Sequence, residues 1–291
     1  MASIGLRERL PWRFRIVAKM ILSRLPIAYV AWRHLNIFHH GDMERPEYAN
    51  AVFHRHYDRV LLSERTEGVV GLELGPGDSL ASALIGRSLG FGKVWLVDVG
   101  KFAGTDLEPY RELERYLRDG GLNVPDITSI TSVPELLSIC RADYLPKGIE
   151  SLRCIPDESV DFIWSQAVLE HIRRDEFPVL LTELRRVMRH GGVCSHRIDL
   201  RDHIGGALNN LRFSQRIWES RYMAESGFYT NRIQFTEMLD LFKRSGFEPE
   251  VVQVDRWGDL PTARAKLAKE FSEIEDEELR VSGFDVILSP I

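Results

Sequence analysis

From residue 69 onward the chain alternates short apolar runs with amphipathic stretches, and this alternation restricts its fold more than any other feature of its 291 residues. VVGLEL (69–74), KVWLVDV (93–99), SVDFIWS (159–165), GGVCSHRIDL (191–200), EPEVVQVDRW (248–257) and VSGFDVILSP (281–290) read as strands, and one more belongs within 140–150 without clear bounds. Between them SLASALIGRSL (79–89), LEPYRELERYLRD (107–119), EFPVLLTELRRVMRH (176–190) and QFTEMLDLFKRSG (234–246) carry apolar residues at helical spacing. Strands that alternate with helices imply a largely parallel sheet covered on both faces. In such sheets ligands bind beyond the carboxyl ends of the strands, at the switch point.

The first 64 residues read as a helical extension, followed by one domain over 65–291. Residues 46–64 form one amphipathic stretch. A second, over 9–25, has Leu10, Phe14, Val17, Ile21 and Leu25 on one stripe. The first forty residues carry Arg7, Arg9, Arg13, Arg15, Lys19, Arg24 and Arg33 against the single acid Glu8. A helix of that kind either packs its stripe on the main domain or lies on an anionic membrane surface as a peripheral contact. The net charge of −5 argues against a general nucleic-acid binder. No run approaches the ~20 apolar residues of a membrane span, and no signal-peptide pattern opens the chain. Cys140, Cys154 and Cys194 form no CxxC, as expected of reduced thiols. The expected location is the cytoplasm, with membrane association as the alternative.

Glu73-Leu-Gly75-Pro-Gly77-Asp78 falls where the first strand turns into the first helix. Glycines there let backbone approach a ligand closely. About twenty residues on, Asp98 ends the second strand, where an acid can accept from both hydroxyls of a ribose. A nicotinamide fingerprint would place glycine at Leu80, so that cofactor is disfavoured.

The glycine segment resembles motif I, E/D-x-G-x-G, of the class I S-adenosylmethionine-dependent methyltransferases. IPDESVDFIWSQAVLEHI (155–172) and LRRVMRHGGV (184–193) are similar to two further segments of that superfamily, in its type 11-like group. The resemblance implies a Rossmann-like, doubly wound, seven-stranded α/β sheet with the last strand antiparallel. It implies S-adenosyl-L-methionine as cofactor, with Glu73, Gly75 and Gly77 at its methionine end, Asp98 on its ribose, and Asp78 and Gln166 also in the cofactor site. Asp78 departs from the usual small residue, and no acid for the adenine side is evident after the third strand.

SHRIDLRDH (195–203) falls at the end of the fifth strand, beside Gln166, Glu170 and His171 at the end of the fourth. Asp199, Asp202, His203 and His196 could converge on a divalent metal, but no compact ligand spacing such as HExxH is present, and no metal is expected. General base chemistry is preferred: His203 and His171 are the candidates, with Asp199 or Asp202 orienting one of them. A structural role for His171 is the alternative.

The segment 204–234 interrupts the next strand-to-helix connection as a cap. Its Asn209, Asn210, Arg212, Trp218, Tyr229, Asn231 and Arg232 are candidates for substrate binding. Amides and arginines beside aromatic faces suit a sugar or lipid-linked glycan, the favoured acceptor for O-methylation. A quinone-like or other aromatic acceptor is the alternative, to be favoured by an apolar pocket, and a non-catalytic S-adenosylmethionine-binding module is the rival from another class. The oligomeric state is open.

Overall fold

The computed structural model describes residue 16, residues 42–60 and residues 68–291. The basic helix expected over 9–25 falls outside these residues, Ile16 excepted, as does the end, 61–64, of the stretch expected over 46–64. In chain order the elements are α1 (Pro46–Tyr57), β1 (Val70–Leu74), α2 (Ala81–Ser88), β2 (Lys93–Val97), α3 (Glu108–Asp119), α4 (Val133–Ile139), β3 (Ala142–Leu145), α5 (Ile149–Leu152), β4 (Val160–Gln166), α6 (Phe177–Val187) and β5 (Met188–Asp199). Short helices α7 (Gln215–Trp218) and α8 (Arg221–Ala224) follow, then α9 (Phe235–Arg244), β6 (Phe247–Arg256), α10 (Lys269–Ser272), α11 (Asp276–Leu279) and β7 (Val281–Pro290).

The seven strands form one sheet in the order β3-β2-β1-β4-β5-β7-β6. β1 through β5 pair in parallel, and β7 runs antiparallel between β5 and β6. The order reverses at β1, so the crevice between the carboxyl ends of β1 and β4 is the switch point.

Period-two alternation divides the strands between two cores. Val94, Leu96, Phe162 and Trp164 pack under α1–α4 with Phe53, Phe91, Leu84 and Leu113. Leu72, Leu74, Ile163 and Ile198 face the other way, against Leu181, Leu184, Met238 and Phe242 of α6 and α9. Burying side chains of this size contributes about 1.5–3 kcal/mol each, so both sheet faces need their helices. α1 belongs to the first core: the Phe53 and Trp164 rings meet edge-on at 5.2 Å.

The helix expected to reach 190 stops at Val187. Met188 is extended (φ −70°, ψ 128°) and pairs with Val160, so this polar stretch already belongs to the sheet. The cap is built of turns, two four-residue helices and extended backbone around Trp218, Phe228 and Tyr229, with Ile16 and Ile204 in the same cluster. Among the described residues no helix is long and apolar enough to cross a membrane.

Candidate active site

A cavity of about 1220 Å³ opens at the switch point, large enough for a nucleoside-sized ligand and a second small molecule together. One wall is the turn after β1. Gly75 and Gly77 have φ of +68° and +65°, the left-handed region that side chains disfavour. At Gly75 a Cβ would also stand 2.5 Å from Val168 Cγ2. The turn is tied to the next strand, for Asp98 Oδ2 accepts from the Gly77 N–H at 3.0 Å and Oδ1 from the Val99 N–H at 2.7 Å. Both oxygens keep lone pairs for further donors.

Glu73 is buried, yet it lines the cavity and its Oε2 has no hydrogen-bond partner. Burial, reinforced by the charge of Asp98, raises its carboxyl to about 8. A cationic group brought against it would favour the ionised form. A glycine turn that admits close backbone approach, a strand-end carboxylate and a buried acid with one unpartnered oxygen together suit an aminoacyl nucleoside.

At the end of β4, Gln166 lines the cavity and its Oε1 lies 3.1 Å from His56 Nε2. Ala167 follows with φ +53°, an uncommon conformation for a residue with a side chain. A 3-10 turn, Leu169–His171, comes next. The His171 Nδ1 lies 2.9 Å from the Tyr229 carbonyl; Nδ1 therefore donates, and Nε2 is the lone-pair atom of the ring. The His203 ring stands 4.6 Å from that of His171 at 64°, and both line the cavity.

The structure therefore brings Glu73, Gly75, Gly77, Asp98, Gln166, His171, His203 and Tyr229 to one cavity. Asp78 is buried behind the turn and is not among the lining residues. The two aspartates expected to orient a histidine have the following partners. Asp202 orients no histidine: its oxygens accept from the N–H groups of Ile204, Gly205, Ala207 and Asn209 and from Asn209 Nδ2, at 2.5–3.1 Å. Asp199 is bound by both oxygens to Arg201, at 2.9 and 2.7 Å.

The polar residues of the cap also turn inward. Trp218 Nε1 donates to the Thr230 carbonyl at 2.7 Å, and Asn210 Nδ2 to Thr230 Oγ1 at 3.0 Å. Asn231 Nδ2 holds the carbonyls of Leu169 and Ile172, and Arg232 holds the Phe213 carbonyl and Gln215. Asn209 Oδ1 accepts from Arg212 Nε at 2.9 Å. Asn210, Asn231 and Arg232 border a separate void of about 10 Å³, too small for an acceptor. Of the seven cap residues expected at the substrate, only Tyr229 lines the main cavity.

Residues missed in the sequence complete that cavity. Met43, Tyr48 and Val52 bring α1 and the turn before it to its wall, and Pro146, Lys147 and Gly148 do the same for the loop after β3. Gly148, with φ +56°, was the visible signal of a turn there.

Residues 123–195 match the family model for a methyltransferase domain, a span from the loop after α3 into β5. The chain carries a methyltransferase domain. Its seven-stranded sheet with one reversed strand is the architecture that the resemblance to class I methyltransferases implies, and a methyltransferase domain implies S-adenosylmethionine as cofactor. The glycine turn and Asp98 lie N-terminal to the matched span. Among solved structures, the S-adenosylmethionine-dependent methyltransferase of Methanosarcina mazei is 17% identical, with 80% of this chain and 97% of that one covered at a TM-score of 0.45. A chain of the Haloferax volcanii complex that contains the Trm112 methyltransferase activator is 16% identical, with 90% and 97% covered at 0.44. At TM-scores below 0.5 these likenesses decide nothing further about the methyltransferase. No curated protein matches it.

Proposed function

We propose that the enzyme methylates a hydroxyl of a small acceptor that has an apolar, ring-like body, and that His203 takes the hydroxyl proton. The observation that carries this reading is the His171–His203 pair, 4.6 Å apart, on the cavity that also holds Gly75, Gly77 and Asp98. S-adenosylmethionine supplies, when bound, a methyl group on a positively charged sulfur. Gly75, Gly77 and Glu73 would hold its methionine end, Asp98 its ribose hydroxyls and Gln166 the inner wall between them. In this reading residues 65–291 form the catalytic domain and 204–234 its cap.

His203 meets the requirement for a base, an imidazole within reach of the acceptor at near-neutral pH. His171, fixed through Nδ1 by Tyr229, orients the acceptor oxygen beside it. The acceptor class follows from what the cap contributes. Asn209, Asn210, Arg212, Asn231 and Arg232 are engaged inside it, so the amides and guanidiniums that favour a glycan are not offered to the ligand. Val168, Ile172, Val179 and Ala224 line the cavity, as do Ser226 and Tyr229, with Lys147, Arg153, Asp175 and Glu176 also on its wall. A phenol- or quinol-like acceptor fits the apolar part of this lining.

The test is transfer of labelled methyl from S-adenosylmethionine to panels of phenols, quinols and saccharides, with wild-type protein and His203→Ala. Transfer to phenolic acceptors, lowered about 10²–10⁴-fold in the variant, is expected. Transfer to saccharides alone restores the glycan reading, and cofactor binding without transfer to any panel supports the non-catalytic module.

A further inference from the structure

We infer that Glu170, His171 and His203 form a binding site for a divalent first-row transition-metal cation at the edge of the cavity, where His171 and His203 line the wall and Glu170, buried, borders the separate small void. One ligating atom from each lies within 4.8 Å of the others; bonds of about 2.0–2.2 Å place such atoms roughly 3.5 Å apart around one ion, so the three side chains would draw together slightly on binding. Glu170 supplies the observation that points to a ligand. It is 1% exposed, its Oε1 accepts only a long 3.3 Å contact from the Asp199 N–H, and its Oε2 has no hydrogen-bond partner. A buried carboxylate oxygen without a donor is costly to leave so, and a cation satisfies it.

The surrounding groups hold the trio in place. His171 Nδ1 is fixed by the Tyr229 carbonyl, which aims Nε2 as the ligating atom. Asn231 accounts for the turn that carries both residues: its N–H donates to the Glu170 carbonyl at 2.7 Å, and its Nδ2 to those of Leu169 and Ile172 at 2.8 and 2.9 Å. Asp202 fixes the backbone immediately after His203 through the N–H groups of Ile204 and Gly205. The burial of Asn231 and Asp202 thus has a purpose at the site, although neither lines the main cavity.

Two imidazoles and one carboxylate suit Mn²⁺, Fe²⁺, Co²⁺, Ni²⁺ or Zn²⁺, whereas Ca²⁺ takes six to eight oxygens and Mg²⁺ keeps mostly water. Three protein ligands leave coordination positions for water or an acceptor oxygen. The binding inference does not depend on the acceptor class. Its consequence for catalysis rests on the methyl-transfer reading: the base role of His203 belongs to the metal-free enzyme, whereas with a cation bound the imidazoles would serve as ligands, the metal would acidify the acceptor hydroxyl, and the released proton would pass to solvent water.

The experiment uses the full chain, stripped with a chelator and dialysed, titrated with Co²⁺ by visible absorption and with Zn²⁺ by calorimetry. S-adenosylmethionine binding is measured on the same sample. One ion per chain is expected, with affinity lowered at least about tenfold in Glu170→Gln and in His203→Asn, each checked for fold by circular dichroism and for retained cofactor binding. No ion bound, or equal binding by both variants, overturns the site. Should Co²⁺ bind as expected while S-adenosylmethionine does not, the cation site stands and the methyl-transfer assignment of the cavity falls.

Discussion

His56 Nε2 lies 3.1 Å from Gln166 Oε1 while its Nδ1 lies 2.9 Å from Ser195 Oγ, so one buried imidazole of α1 ties the end of β4 to the interior of β5. The cavity wall at Gln166 therefore depends on a helix that precedes the sheet in the chain. Burial lowers the His56 imidazole to about 4, against the partial compensation of its bond to Gln166. Burial likewise takes His196 to about 3, with His56 adding to the effect.

These two histidines make stability fall in acid. The unfolded chain binds protons as pH drops below 6.5, whereas the folded chain holds both rings neutral down to about 4. Stability is thus fully present above pH 6.5 and is lost as pH falls through 4, by on the order of 3 kcal/mol for His56 alone. Urea midpoints between pH 7.5 and 4.5 measure this. His56→Gln is expected to reduce the slope by about one proton; an unchanged slope would show that His56 is not the titrating group.

Gly75→Ala is expected to destabilise the enzyme by on the order of 2–4 kcal/mol and to weaken S-adenosylmethionine binding. The added Cβ meets Val168 Cγ2 at 2.5 Å, and the φ of +68° is itself unfavourable to a side chain. Adding Val168→Ala removes the clash but not the backbone penalty of about 1–2 kcal/mol. Thermal unfolding of the single and double variants separates the two contributions. A double variant no more stable than the single one would assign the whole loss to the backbone.

The sheet was legible in the sequence because β1, β4 and most of β7 are buried on both faces and read as apolar runs. β3 was not, since Ala142–Leu145 is four residues with Asp143 and Tyr144 at its centre. The glycine turn and Asp98 were legible from spacing within one strand-helix-strand unit. The role of α1 was not, because its contact with Gln166 joins residues 110 apart. The cap misled for a physical reason. Irregular backbone leaves N–H and C=O groups unpaired, and buried ones must find partners. Asp202, Asn231 and Arg232 supply those partners, so residues that look suited to a ligand serve the chain itself.

Asp285 binds Arg55 at 2.9 Å, Arg59 at 2.6 Å and Arg197 at 3.3 Å from a position only 2% exposed. It is the carboxylate through which α1 is held to β5 and β7. Asp285→Asn removes the charge shared by Arg55, Arg59 and Arg197, of which, among the described residues, only Arg197 keeps a second carboxylate, Asp255 at 2.6 Å, at an expected cost of about 3 kcal/mol. Because α1 also lines the cavity through Tyr48 and Val52, cofactor affinity is expected to fall with stability. Denaturant unfolding and calorimetry with S-adenosylmethionine read the two effects. Lost stability with unchanged affinity would mean that the α1 wall does not contact the cofactor.

Glu73 predicts a proton signature of cofactor binding. With its carboxyl raised to about 8 by burial, it is mostly protonated at pH 7 in the free enzyme. If the positively charged end of S-adenosylmethionine settles against its unpartnered Oε2, the ionised form is favoured and a proton leaves to the buffer. Affinity should therefore rise as pH increases from 6 toward 8 and level off above it. Calorimetry at pH 7 in buffers of different ionisation enthalpy should give release approaching one proton per cofactor, abolished in Glu73→Gln. Asp98→Asn tests the other end of the same ligand: losing a charged acceptor costs about 1.5–3 kcal/mol, a roughly tenfold or greater loss of affinity, while proton release persists. Release that survives Glu73→Gln and vanishes in Asp98→Asn would reverse the two assignments.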